Sequence, residues 1–161
     1  MTVSNAASHY INETIIGANK SHPIISHVIC TKEQLHVPIF KNMPVMLLEN
    51  RDKATGYVNG QICKIHCMEG STIIVKHKKG HYINIYLVTC PLTKKVYYPL
   101  RPAYSCTIAK VQGQTLANAI LWVDTASTPP GTCYVALSRV RRNEDMLSLC
   151  QLRPKQFTPV A

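Results

Sequence analysis

Thr107-Ile-Ala-Lys-Val-Gln-Gly-Gln-Thr115 and Tyr134-Val-Ala-Leu-Ser-Arg-Val140 stand near the end of a 161-residue chain. Between them lie an apolar run, Ala119-Ile-Leu-Trp-Val123, and a loop containing Thr128-Pro-Pro-Gly131. The pattern reads as a strand over 104–107, a helix over 110–116 and a strand over 119–123. A helix containing Ala136 and Arg139 and a last strand over 146–149 complete it. Such β-α-β-α-β order implies a parallel sheet with right-handed crossovers. Gln112, Gly113, Gln114 and Thr115 fall where strand turns into helix, a place where unpaired N–H groups and the helix dipole favour an anion.

In this order, the two segments resemble the last two signature motifs of superfamily-one helicases. The branch is the 5′-to-3′ one, the PIF/RecD-like helicases, Helitron-type helicases included. Upstream, Thr2-Val-Ser-Asn-Ala-Ala with Asn12 resembles the segment that opens the family's second motor domain. Met43-Pro-Val-Met-Leu-Leu-Glu-Asn-Arg51 with Gly56-Tyr-Val-Asn-Gly60 resembles a further family stretch, so nearly the whole chain is covered. The resemblance implies an α/β fold: an incomplete RecA-like parallel sheet, the second motor domain, with an inserted small antiparallel SH3-like β-barrel. Residues 1–50 would open that domain, 51–100 form the barrel, and 101–161 close it with the two motifs.

The same resemblance assigns roles. Arg139 becomes an arginine finger, catalytic and nucleotide-binding, reaching the γ-phosphate held on the other motor domain; its planar, permanently charged fork suits that role better than Lys. Gln112, Gly113, Gln114 and Thr115 become the segment that couples nucleotide to nucleic acid. Gln112 is the most diagnostic of this branch, whereas Thr115 stands where related helicases often carry Glu. Thr107 and Lys110 would contact the nucleic-acid backbone by hydroxyl and by charge, fixing register without reading bases. Ala109 replaces the His or Asn common between them. Asn59, within Gly-Tyr-Val-Asn-Gly, joins this nucleic-acid-binding set.

ATP hydrolysis of this class needs a Gly-rich loop with a Lys to cradle the phosphates, and an acidic strand end to hold Mg²⁺. No Gly-x-x-x-x-Gly-Lys-Ser/Thr occurs in the sequence, and its one pair of adjacent carboxylates, Glu144-Asp145, follows the Arg motif in a polar stretch. ATP and Mg²⁺ therefore belong to the complete helicase, with their main ligands outside this chain, which alone is expected not to hydrolyse ATP. The partners implied are single-stranded DNA and an N-terminal RecA-like domain, in the same gene product or another chain. The alternatives are a stand-alone single-stranded nucleic-acid-binding module and a non-functional helicase remnant.

Eighteen Lys/Arg against eight Asp/Glu give a formal charge of +10, which favours a polyanion because each cation that neutralises a phosphate releases counterions. No apolar run approaches the roughly 20 residues of a spanning helix. We read the protein as intracellular, nuclear or mitochondrial if eukaryotic, with no membrane partner. Seven cysteines without a C-x-x-C pair suggest buried reduced thiols. Cys63 and Cys67 are expected to share one face of a strand with His66 on the other, so no metal site is assigned.

Along the rest of the chain, Ser4 or Asn5 caps a helix whose apolar stripe is Ala7, Tyr10, Ile11 and Ile15. Residues 23–30 offer one strand; Pro23 and Pro38 break regular structure around it. Val45-Met-Leu-Leu48 fits a strand buried on both faces of a parallel sheet. Residues 56–98 are β-rich, with turns at Glu69-Gly70 and Lys78-Lys79-Gly80, and read as an antiparallel meander or small barrel. At the second turn Lys78 and Lys79 either touch phosphates or form a solvated tip. Tyr57, Tyr82, Tyr97 and Tyr98 either stack on bases or pack in the core. Asp124, at a strand's C-terminal end, reads as a loop cap.

Overall fold

The computed structural model describes residues 1–19, 21–124 and 128–157. Helix α1 spans Asn5–Ala18 and α2 spans Thr132–Leu137. The strands in chain order are β1 Ile24–Cys30, β2 Leu35–Phe40, β3 Pro44–Leu47, β4 Ile62–Glu69, β5 Thr72–Lys76 and β6 Tyr82–Ile85. They continue with β7 Val88–Thr89, β8 Val96–Tyr97, β9 Leu100–Pro102, β10 Ala119–Leu121 and β11 Met146–Ser148. Contacts divide the chain into two units, Met1–Glu13 with Ser105–Ala161, and Thr14–Tyr104.

In Thr14–Tyr104 the expected meander forms: β4, β5 and β6 pair antiparallel in sequence, turning at Gly70 and Gly80. Strand β3 is not part of a parallel sheet. It lies between β4 and β9, antiparallel to both, giving the order β6-β5-β4-β3-β9. Its apolar run is continuous because Val45, Met46 and Leu47 are all buried, a condition that burial on both faces produces in either sheet type. This unit therefore begins well before residue 51. Alternation along the other strands buries Cys63 and Ile65, Ile73 and Val75, Ile83 and Ile85 in one cluster with Val45, Leu47 and Leu100.

Two sequence readings fail here for identifiable reasons. Residues 35–40 form β2, paired antiparallel with β1, with Pro38 opposite His27. In a two-stranded ribbon every strand is an edge, and an edge tolerates the missing Pro N–H. The register between β4 and β5 shifts between Ile65 and Cys67. This bulge at His66 changes the parity of the strand, so Cys63 faces the core beside Ile65 while Cys67 pairs outward with Ile74. The two thiols do not share a face. All seven cysteines are free, and burial pushes the thiols of Cys30 and Cys63 up to about 12 and about 11.

The other unit holds the mixed part of the fold. Strands β10 and β11 pair in parallel, and Thr2 bridges in parallel to both Trp122 and Thr107. The parallel sheet foreseen for the C-terminal region is thus small, one ladder extended by single bridges, and 104–107 contributes only the bridge at Thr107. Ile108, Leu121 and Ala136 form its core. Ser4 does cap α1: its Oγ accepts the Ala7 N–H at 3.1 Å. The buried face of α1 is Ser8 and Asn12, not the expected apolar stripe, and Tyr10 is 64% exposed. Asn12 can be buried because its amide makes two 2.9 Å bonds to the backbone of Ser105, donating to the carbonyl and accepting the N–H.

Asp124 ties the two chain segments of this unit together. Its Oδ1 accepts the N–H groups of Val3 at 2.7 Å and Ser4 at 3.2 Å. Burial alone would raise the carboxyl, but hydrogen bonds from the Ser4 side chain and from backbone N–H groups outweigh it and hold it below the ordinary carboxylate value. Asp124→Ala is expected to cost about 1–2 kcal/mol, the worth of lost bonds to a charged acceptor, read from urea midpoints. A depressed carboxyl stabilises most above its unfolded value. The gap between wild type and Asp124→Ala should therefore be full at neutral pH and close as pH falls through the lowered value of Asp124. A gap independent of pH down to strong acid would refute this role.

Candidate nucleotide- and strand-binding site

Gln112, Gly113, Gln114 and Thr115 do not open a helix. Ile108–Val111 is one 3-10 turn, and Gly113 follows at φ +82, a left-handed conformation that ends regular structure. Gln114 N–H donates to Val111 O at 3.0 Å, so the segment is a chain of tight turns that brings its backbone to the surface. Thr107 precedes it and is 6% exposed, held between the backbone of Thr2 and the 3-10 turn. Lys110 and Gln112 are exposed, as are Gly113 and Thr115.

Arg139 lies just beyond α2, which closes at Leu137 instead of continuing to the arginine. Arg139 N–H donates to Ala136 O at 3.1 Å and Val140 N–H to Leu137 O at 3.4 Å, bonds of three-residue span that tighten the last turn. The guanidinium folds back: Nε–H donates to Val135 O at 3.0 Å, Nη1 to Gln114 O at 3.4 Å, and Nη2 to Ser138 Oγ at 2.8 Å. Leu116 N–H donates to Arg139 O at 2.8 Å, and Leu116 bridges Val140 in parallel. The two motifs, 24 residues apart between Thr115 and Arg139, are thus side by side.

Next to them a cavity of ≈ 610 Å³ is lined by Ala109, Gln112, Pro129, Pro130, Tyr134 and Val135, among others. No cation lines it among the described residues. The guanidinium of Arg139 and the exposed turn at Gly113 stand side by side. No cluster of three or more His, Cys, Asp or Glu that could hold a metal occurs among the described residues. No helix among them is long and apolar enough to cross a membrane.

Asn59, Lys78 and Lys79 lie in Thr14–Tyr104 and are exposed. Asn59 N–H donates to Asn50 Oδ1 at 2.9 Å. The 77–81 turn that carries the lysines is pinned to the 51–60 loop: His81 Nε2 lies 2.6 Å from Thr55 O, and His77 stacks on His81 with centroids 4.6 Å apart. A Cβ at Gly56, where φ is +80, would meet His77 Nε2 at 2.9 Å. Of the four tyrosines offered as stacking faces, Tyr57, Tyr97 and Tyr98 are buried and Tyr82 is exposed. Tyr86, also exposed, was missed, although the alternation Tyr82-Ile-Asn-Ile-Tyr86 places it on the face of Tyr82.

No protein-family model and no curated protein matches the chain. Solved helicases do. A Pif1 helicase studied in DNA unwinding at forked duplex DNA matches with 26% identity and a TM-score of 0.74, over 99% of this chain and 40% of its own. Bacteroides Pif1 bound to single-stranded DNA matches with 25% identity and 0.73, over 99% and 42%. Bacteroides Pif1 in complex with ADP-AlF4 matches with 25% identity and 0.64, over 99% and 41%. The class these matches define is a partial Pif1-like helicase domain, to which this chain is similar along nearly its whole length. The chain spans about two fifths of the length of those helicases.

Proposed function

We propose that this chain supplies the arginine finger and the strand-binding segment of an ATP-dependent 5′-to-3′ DNA helicase, and that it does not hydrolyse ATP alone. The observation that carries the reading is the contact of Arg139 with Gln114 and of Leu116 with Arg139, which joins the two helicase-like motifs. ATP and Mg²⁺ would be bound mainly by an N-terminal RecA-like domain, in the same gene product or another chain. Gln112, Gly113, Gln114 and Thr115 would meet the nucleotide's edge, and the guanidinium of Arg139 would turn from carbonyl acceptors to the γ-phosphate. Thr107, Lys110, Asn59, Lys78 and Lys79 would follow the DNA backbone. Residues 51–100, which contribute β4, β5 and β6 to the five-stranded sheet, would provide the SH3-like insert within the second motor domain. As part of such a motor the chain would serve DNA repair, recombination and telomere maintenance inside the cell, in the nucleus or mitochondrion of a eukaryote.

The test is turnover by the purified chain with and without single-stranded DNA, then the same after addition of a phosphate-loop domain. No hydrolysis in the first case and DNA-stimulated hydrolysis in the second is the expected outcome. DNA-stimulated turnover by the chain alone would refute the split site. Strand binding should weaken with salt, and neutralising Lys78 and Lys79 together should flatten the log–log slope by roughly 1.4.

A second reading, a stand-alone strand-binding module, is favoured by charge. Thr14–Tyr104 holds twelve Lys or Arg against four Asp or Glu. Tight DNA binding with no turnover after addition of any phosphate-loop domain would select it.

A further inference from the structure

The outward face of the β4-β5-β6 meander carries a row that core packing does not explain. Lys64 of β4 stands directly opposite Lys76 of β5, and Lys76 opposite Tyr82 of β6. Both lysines are exposed, and neither forms an ion pair among the described residues. Like charges directly opposite on neighbouring strands destabilise a sheet, a penalty that an anion laid across them removes. The neighbouring side chains are aromatic. His66 of β4 packs on Tyr82 with ring centroids 4.7 Å apart. Two and four residues along the same face come Asn84 and Tyr86, and Asn84 Nδ2 donates to Tyr86 Oη at 3.3 Å.

Tyr82 on β6 is 52% exposed and Tyr86, just past the strand's end at Ile85, is 48% exposed, two large rings left in water and each braced by a neighbour. Lys78 and Lys79 extend the positive edge at the Tyr82 end. The carboxylate that shares this face, Glu69, lies at the other end of β4, opposite Thr72. Sequence-tolerant single-strand binding uses these two ingredients, cations that track phosphates and aromatic faces on which bases stack. A duplex hides its base faces and cannot use the rings.

We propose that this face is a stacking platform for single-stranded DNA: bases stack on Tyr82 and Tyr86 while the phosphates pass Lys64 and Lys76. It adds Lys64, Lys76 and Tyr86 to the strand contacts named above and selects Tyr82, the exposed one, from the four tyrosines of the sequence reading. Its physical consequence is that binding has two separable components, a salt-dependent one from the lysines and a salt-independent one from the rings.

The test uses the full chain and labelled oligo(dT), with affinity read by fluorescence anisotropy and contacts mapped by ultraviolet cross-linking and mass spectrometry. Tyr82→Ala with Tyr86→Ala should weaken binding by at least about fivefold and leave the salt slope unchanged, since no phosphate contact is lost. Tyr82→Phe with Tyr86→Phe should bind like wild type, because a phenyl face also stacks. Cross-links should fall within 82–86, and duplex DNA should compete poorly. Unchanged affinity in the double alanine variant, or cross-links in the unaltered chain confined to 107–115, overturns the platform and leaves the motor reading standing. Cross-links at 82–86 without turnover on adding a phosphate-loop domain support the platform and overturn the split site. No binding at low salt overturns the platform.

Discussion

Arg139→Ala is expected to lower ATP turnover by about 10³- to 10⁵-fold once the chain is combined with a phosphate-loop domain, the range that an arginine finger commands in phosphoryl transfer. The loss should fall on kcat, because the finger acts on charge that develops at the γ-phosphate and not on ground-state binding. The structure gives the arginine a second job that must be separated from the first. Three of the five guanidinium N–H donors already serve Val135 O, Gln114 O and Ser138 Oγ, so truncation also loosens the contact between the two motifs. Arg139→Lys separates the roles: it keeps a charge but lacks the planar fork, and should recover stability more than turnover. Equal loss of turnover and of thermal stability across Ala and Lys would make Arg139 a positioning residue. Unchanged turnover in Arg139→Ala would remove the finger altogether.

The two motifs were legible because they are dense in residues whose chemistry is specific, Gln112-Gly-Gln-Thr115 and Ser138-Arg139, and because their order admits few topologies. Their local conformation was less legible. A helix over 110–116 was expected from position alone, yet Gly113 takes φ +82 and the chain turns instead. The extension of α2 to Arg139 failed for a related reason: three-residue hydrogen bonds at Ala136 and Leu137 close the helix early, and nothing in Leu-Ser-Arg announces them. Alternation predicted the meander and its turns because period-2 burial is strong over β4, β5 and β6. It could not predict the bulge at His66, since one inserted residue leaves composition unchanged while reversing every face beyond it. The buried face of α1 escaped for the opposite reason. Asn12 looks like a surface residue until its amide finds both backbone groups of Ser105, and only tertiary structure brings residue 105 there.

Ile65→Ala is expected to destabilise Thr14–Tyr104 by about 2–5 kcal/mol, the cost of deleting a buried aliphatic side chain and leaving a cavity. Ile65 is 0% exposed and packs in the cluster shared by β3, β4, β5, β6 and β9. Both of its backbone groups are tied to the segment before β3 as well: the N–H donates to Met43 O at 2.9 Å, and the carbonyl accepts Asn42 N–H at 2.8 Å. The residue also stands immediately before the bulge, where the register changes. Collapse of the cavity would require β4 to move against a pairing that the bulge fixes, so the cost should lie toward the upper end of the range. Native stability is roughly 0.05–0.15 kcal/mol per residue, and such a loss takes a large fraction of it. Ile65→Val removes one methylene and should cost about 0.5–1.5 kcal/mol. Urea titration of both variants measures the ladder directly; a midpoint for Ile65→Ala within error of Ile65→Val would mean that the cluster is not the core of this sheet. Because Lys64 and His66 flank Ile65 on the outward face, the same substitution should weaken oligo(dT) binding only as far as it unfolds the sheet. At a temperature where Ile65→Val is fully folded, that variant should bind as wild type does.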